Sequence, residues 1–531
     1  MKNRILFVFA VLLSVLTGCA RRGNIDGGPK DSLPPTLEVS LPKNFSTDFK
    51  GQEIRLTFDE YVKLKDISKQ LVVSPPLEYT PDVRPLLPSK TLTVRFRDTL
   101  RPNTTYSLNF GQSIQDNNEG VPLPQFRYVF STGSYIDSLE ISGGISDALE
   151  RKADNFVTVM LYELNETFND STIYKEKPRY VTNTLDSTVV FKLENLKEGR
   201  YQLIALKDKS NNYKFDPRSD KIAFASEPVV VPSDKPYKLR LFKETGSFRG
   251  LRPSQASGNR MLGGFEGDPR GAVYTVRNGS ETVPSIVTRM PEKDSVQIWY
   301  KAPKVDSLQV TVKKDAFEKD FWVKLKNQKK DSIGFTVEKA GTLSFREQFQ
   351  LRSATPLTTF DNTKITIRDK DSASVPFTTD YDAFNQKLTV VFEKKEEQRY
   401  QINMMPGALV DFYGHENDTL DYTVATRRLG DYGNMKVVLQ NAKSFPIILE
   451  LTDAKGKVLA REVATKPEID FLSLDPSTYT MRLIYDTNSN GEWDSGSWME
   501  HRQPEEVIYF PKDIILRSNW DINQEWDVGG G

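Results

Sequence analysis

The chain has 531 residues, room for several domains at roughly 100–200 residues each, and its 72 Lys plus Arg balance 72 Asp plus Glu. That balance excludes a bulk electrostatic pull toward nucleic acid, and a single cysteine excludes an intramolecular disulfide. A hydrophobic share of 38% suits small β-modules with much surface per core, while 11% aromatic residues supply the packing that disordered chains lack.

In chain order, the first feature is Lys2 and Arg4 followed by the apolar run from Ile5 to Leu16 and the tetrad Leu16-Thr17-Gly18-Cys19. The run is shorter than the roughly 20 residues that a spanning helix needs, so residues 1–18 are predicted to be a signal peptide. The tetrad resembles the lipobox of bacterial lipoproteins. That resemblance implies cleavage before Cys19, lipidation of Cys19 and attachment of the chain to a membrane through its N-terminal lipid. Residues 19–33 are rich in Gly and charge and are predicted to be a flexible tether. Fully extended, it would reach some ~45 Å.

Residues 34–133 read as short alternating strands. Ile54-Arg55-Leu56-Thr57-Phe58, Leu92-Thr93-Val94-Arg95-Phe96 and Tyr106-Ser107-Leu108-Asn109-Phe110 each place apolar side chains at every second position. Such runs, punctuated by Pro, Asn, Asp and Gly, predict a half-buried antiparallel sandwich. Pro34-Pro35-Thr36, Leu56-Thr57-Phe58-Asp59-Glu60, Leu100 to Tyr106 and Tyr128-Val129-Phe130-Ser131-Thr132-Gly133 resemble the bacterial Ig-like domain of S-layer proteins and Bacteroidota envelope lipoproteins. The resemblance implies a fold and says little about function.

A second β-module spans 136–245. Gly199-Arg200-Tyr201 and the strand Tyr201 to Leu206 resemble the turn and strand of transthyretin-like sandwiches, and an Asp/Asn-rich loop follows. A β-module at 248–343 comes next, its clearest strands Val296 to Tyr300 and Leu308 to Val312. The earlier pattern then returns. Tyr106, Tyr128 and Thr132 recur at one constant offset as Tyr400, Tyr422 and Thr426, which predicts a second Ig-like domain at 344–427. Tyr479 to Asp486, leading into a second Asp/Asn loop, predicts a second transthyretin-like sandwich at 433–527. The expected fold is therefore all-β: tandem β-sandwiches in a two-fold repeat around a central β-module.

The paired loops carry the sharpest local chemistry. Asp486, Asn488, Asn490 and Asp494 stand at positions 1, 3, 5 and 9, with Gly491 at 6. This spacing resembles an EF-hand or dockerin-type calcium loop, in which alternate oxygen side chains converge on a hard cation. Asp208, Ser210, Asn212 and Asp216 repeat it more weakly, because Tyr213 replaces the glycine. Both loops carry Ser at position 12, Ser219 and Ser497, where the EF-hand has Glu. The competing reading is an Asx-rich turn that caps its own backbone. A structural calcium ion is the one cofactor expected.

Asp followed by Ser or Thr and then a small or aliphatic residue recurs at Ser32, Thr99, Ser138, Ser171, Ser187, Ser295, Ser307, Ser332, Ser372 and Thr419. These triplets resemble the O-glycosylation acceptors of Bacteroidota envelope proteins. Two histidines in different modules, His415 and His501, and no spare cysteine give no nucleophilic or zinc constellation. The chain is expected to be a non-enzymatic, lipid-anchored outer-membrane scaffold for other envelope proteins, with a membrane β-barrel complex as the partner to seek. Ala20-Arg21-Arg22 favours the outer membrane by analogy with known lipoproteins and is compatible with either of its faces. The alternative is a glycan-binding surface lipoprotein, which requires Trp493, Trp498, Trp520 and Trp526 to be exposed and coplanar.

Overall fold

The computed structural model describes residues 31–184, 189–291, 293–301 and 304–529. About 49% of the chain is strand and 3% helix. Among the described residues the α-helices are single turns, Ile67–Gln70 and Thr172–Lys175. Residues 1–18, expected to be a signal peptide, and Cys19 and Ser187 lie outside the described residues. The chain forms two compact units, one holding the described residues up to Leu139 with Asn195–Lys197, the other holding the remainder.

In the first unit, one sheet runs in the order Leu37–Leu41, Glu53–Leu64, Ser89–Arg95, Asp82–Arg84, with Ile114–Asp116 also pairing with Glu53–Leu64. The second sheet is Val72–Ser74, Thr105–Asn109 and Arg127–Ser131. The expected alternation is present: Ile54, Leu56 and Phe58 are fully buried and Arg55 between them is exposed. Phe49, Phe58, Leu92, Val94, Tyr106 and Phe130 meet between the sheets. The Tyr106 and Phe130 rings stack at 5.4 Å. Such offset aromatic contacts add to the area they bury.

The second unit holds the other modules. Residues 344–427 form an Ig-like sandwich around Phe349, Leu388, Val390, Tyr400 and Ile402. The repeat is visible atom by atom. In the first unit the Tyr106 hydroxyl accepts from Arg101 N at 2.8 Å, and Thr132 Oγ1 accepts from Thr104 N at 3.0 Å. In the second unit Tyr400 accepts from Lys395 N at 2.7 Å, and Thr426 Oγ1 accepts from Gln398 N at 3.0 Å. Each tyrosine reaches back five residues to fix a corner, as in the tyrosine corner of Ig sandwiches.

The modules at 140–245 and 433–528 share one topology. In the first, a sheet ordered Tyr180–Asn183, Thr158–Glu163, Gly199–Lys207, Lys221–Phe224 faces one made from Leu139–Asp147, Val190–Leu196 and Tyr237–Leu241. The second repeats this with Val458–Ala464, Ile447–Thr452, Ser477–Tyr485, Val507–Tyr509 facing Glu468–Leu474, Gly433–Gln440 and Asp521–Asp527. In both, the last strand pairs parallel to the first. The central module carries two further sheets, and the strands Ser295–Tyr300 and Ser307–Lys314 fall where the alternation places them. Gly263 to Glu266 belong to the strand Arg260–Glu266, and Gly267, at φ +76°, turns the chain after it.

Candidate functional site

The two Asp/Asn loops sit at matching places, each following the long central strand of its sandwich. Both turn through left-handed residues at positions 4 and 6: Asn211 and Tyr213 at φ 52° and 59°, Ser489 and Gly491 at φ 58° and 75°. Such backbone is uncommon outside glycine and persists when side chains over-determine it. The aspartate at position 1 does so. Asp208 accepts from Ser210 N at 3.0 Å and Tyr213 N at 2.8 Å, and Asp486 accepts from Asn490 N at 3.1 Å and Gly491 N at 2.9 Å. Burial holds the Asp208 carboxyl above the usual range, with the Tyr213 N–H opposing and the nearby Asp220 charge adding.

A second carboxylate straps each loop at its base. Asp220, fully buried, accepts from Lys209 N at 3.1 Å and Asp216 N at 2.9 Å. Glu505, also buried, accepts from Thr487 N at 2.6 Å and Asp494 N at 3.0 Å. Both straps join positions 2 and 9, although they lie at different distances along the chain. The remaining side chains act within the loops. Asn488 and Asn490 donate through their side-chain amides to Asp494 Oδ2 at 2.6 and 2.7 Å, Asn212 Oδ1 accepts from Lys214 N at 2.8 Å, and Asp216 Oδ1 accepts from Arg218 N at 3.0 Å. Among the described residues no three of His, Cys, Asp and Glu converge as a metal-binding group.

The second loop has an insertion between position 9 and its strap, and that insertion holds the sandwich at 140–245. Trp498 is 1% exposed. Its ring stands edge-on to Phe224 at 5.1 Å, its indole N–H donates to Asp170 O at 2.8 Å, and its backbone N–H donates to Glu244 Oε1 at 2.7 Å. Burial raises the Glu244 carboxyl, and the Trp498 N–H works against that rise. Gln503 donates to Phe224 O at 3.0 Å and His501 Nε2 lies 3.2 Å from Asp170 Oδ2. Gly496 is required, since a Cβ there would stand 2.6 Å from the Phe242 ring. A second contact zone lies on the sheet face. Tyr509 donates to Leu149 O at 2.7 Å, Arg482 donates to the same oxygen at 3.2 Å, and Arg151 pairs with Asp513 at 2.6 Å. Arg482 is itself buried against Glu450 at 2.7 Å.

This geometry corrects the aromatic platform. Trp498 and Trp526 are buried, Trp493 is half-buried with its N–H on Glu505 O, and Trp520 alone of the four is exposed. A coplanar sugar-stacking face does not form, because the modules use these rings to fill a core and an interface. The Tyr413 hydroxyl reaches the central module, donating to Asn259 O at 2.8 Å. His415 Nδ1 lies 3.1 Å from the buried Asp411.

Glu397 and Asp116 are likewise engaged. In the charged cleft at the edge of the second Ig-like module, Glu397 pairs with Arg428 at 2.5 Å. In the first unit Asp116 accepts from Asn118, Glu119 and Gly120 N–H groups; burial raises its carboxyl, but these bonds leave it below the usual range. Of the Asp-Ser/Thr positions, Ser32, Thr99, Ser138, Ser332, Ser372 and Thr419 are exposed, and Ser171, Ser295 and Ser307 are half-buried.

No curated protein matches the chain. Among solved structures, domains 1–6 of the surface layer protein SbsC align at 11% identity over 92% of this chain and 68% of that one, with a TM-score of 0.16. BcpA, the major pilin subunit of Bacillus cereus, aligns at 10% identity over 73% and 99%, with a TM-score of 0.15. Domains A168–A170 of titin align at 10% over 45% and 90%, with a TM-score of 0.14. Such scores correspond to no shared overall arrangement. The family match is local: residues 31–132 match a bacterial Ig-like domain, and the chain carries that domain at its N-terminal side.

Proposed function

We propose that this chain is a non-enzymatic scaffold of the bacterial envelope, held to the outer membrane by lipid on Cys19 and binding other envelope proteins through sandwich faces and loop tips. It is a Bacteroidota-type lipoprotein in which two Ig-like and two transthyretin-like modules flank a central one. The observation that carries the reading is the use made of its polar side chains. The Asp/Asn loops cap themselves, the buried carboxylates strap backbone, and the longest loop joins two modules of the same chain. A rigid interaction platform needs these features, whereas catalysis needs carboxylates or nucleophiles left free to face a substrate.

In this reading the Asp486 loop, and more weakly the Asp208 loop, takes calcium only as a stiffener. An ion there would displace the Asn488 and Asn490 amides from Asp494. Export is supported by the lipobox-like tetrad and by the exposed Asp-Ser/Thr positions, which are the acceptors proposed for glycosylation.

The test is affinity purification of the tagged lipoprotein from gently solubilised outer membranes, with mass spectrometry of the co-purifying chains. A stoichiometric β-barrel or secretion component, lost when the sandwich modules are deleted and the lipid kept, is the expected result. A lipoprotein that purifies alone contradicts the scaffold reading.

A further inference from the structure

Loops between strands are normally polar, because they face water and lack a core to join. The loop Pro85-Leu86-Leu87-Pro88 of the first unit is not. Every residue in it is exposed, Leu86 at 58% and Leu87 at 77%. Among the described residues the two most exposed large apolar side chains are Leu87 and Leu33, the latter at 71%.

Both sit at one end of the same sandwich. The strand after the loop begins at Ser89, which pairs with Val62. Lys90, the next residue, donates to Asp59 O at 2.7 Å and places its ammonium 6.0 Å from the Tyr61 ring. Asp59 in turn binds the start of the module: its carboxylate accepts from Thr36 N at 2.8 Å and Thr36 Oγ1 at 2.7 Å. Leu33, three residues before Thr36, is thus where the chain arriving from Cys19 enters. The apolar tip, the exposed Tyr61 with its lysine, and the incoming tether share one end of the module.

We infer that this end rests on the lipid bilayer, with Leu86 and Leu87 inserted at the level of the headgroup and acyl boundary. The inference rests on the lipid-anchor reading. The residues between Cys19 and Leu33 reach at most some ~45 Å, so acylation keeps this end of the module close to the surface without setting its angle. Apolar residues at a tip, beside an aromatic ring and a snorkelling lysine, are the side chains that settle in an interface. The carboxylates of Asp31, Asp59, Glu60 and Glu119 also belong to this end; Glu60 is held above the usual range by burial and by its acidic neighbours. They make an anionic partner surface unfavourable and leave apolar insertion, not charge, as the holding force. The consequence is a first module oriented on the membrane.

The test uses the full-length acylated protein in phosphatidylethanolamine-rich vesicles. Cys19 is the only native cysteine, so Leu87→Cys offers a single free thiol for an environment-sensitive nitrobenzoxadiazole probe. Arg97→Cys, past the far end of the following strand and roughly 30 Å away along it, is the control. The expected result is a blue-shifted emission at position 87, quenched several-fold more by doxyl-labelled lipid than at position 97. An acylated protein whose position-87 probe is as water-exposed as its position-97 probe overturns the inference and leaves the anchor standing. A probe shielded only when other outer-membrane proteins are added overturns the lipid assignment in favour of a protein partner. An intact mass showing Cys19 without acyl chains contradicts the anchor and the inference together.

Discussion

The loops that follow Tyr201–Leu206 and Tyr479–Ile484 share a frame and part company at one insertion. In both, an aspartate at position 1 caps the turn, left-handed residues stand at positions 4 and 6, and a buried carboxylate ties position 2 to position 9. Between position 9 and the strap, the first loop crosses directly from Asp216 to Asp220. The second makes a detour from Asp494 to Glu505 that carries Trp498, His501 and Gln503 into the other copy. A duplicated module thus keeps its turn chemistry, and the added residues of one copy become one of the two contact zones between them.

Removing the contact gives the largest expected effect. Trp498→Ala leaves a hole beside Phe224 and an unanswered acceptor at Asp170 O, a change of about 3–5 kcal/mol for a buried large aromatic. It should lower the denaturant midpoint and uncouple the sandwiches at 140–245 and 433–528 into separate transitions. An unaltered single transition would show that the insertion does not hold them.

The straps come next and test the symmetry. Asp220→Ala and Glu505→Ala each orphan two backbone N–H groups, which costs about 1–3 kcal/mol per unsatisfied group. Similar losses in chemical denaturation are expected from the two variants. A large loss from one and none from the other would break the equivalence drawn between the loops.

Gly491→Ala probes the position where the copies differ. At φ +75° an alanine is strained by roughly 1–2 kcal/mol, and no atom stands within 4 Å of its new Cβ, so strain alone should lower the melting temperature.

The smallest effect is a pH dependence at the contact. Glu244 has a raised carboxyl, so its ionised form opposes folding above its folded pKa, and that penalty fades as pH falls toward the unfolded value of 4.5. Glu244→Gln keeps an oxygen for the Trp498 N–H and removes the charge. It should match or exceed the parent in melting temperature at neutral pH, with the difference vanishing on acidification through the ordinary carboxylate range.

Much of this was legible in the sequence, and the gaps have physical causes. Period-two alternation located the core strands, and the constant offset of Tyr106, Tyr128 and Thr132 to Tyr400, Tyr422 and Thr426 marked a repeat, in which Tyr106 and Tyr400 make matching hydrogen bonds. The loop aspartates stood out because short oxygen side chains at alternate positions are rare away from turns. Asp220 and Glu505 did not, since they share neither residue type nor spacing, only the N–H groups they reach. Trp498 was visible as a tryptophan, yet a sequence does not say whether an aromatic ring faces a sugar, its own core or another module. The same applies to Leu86 and Leu87, whose significance depends on lying beside Thr36 and Asp59.

The Trp498 loop holds the two repeated sandwiches together. Electron–electron distance measurement between nitroxides at Glu166→Cys and Glu500→Cys, in a Cys19→Ser background, tests this directly. A single narrow distance that broadens on Trp498→Ala is the predicted result. A broad distribution in the parent, unchanged by that substitution, would contradict it.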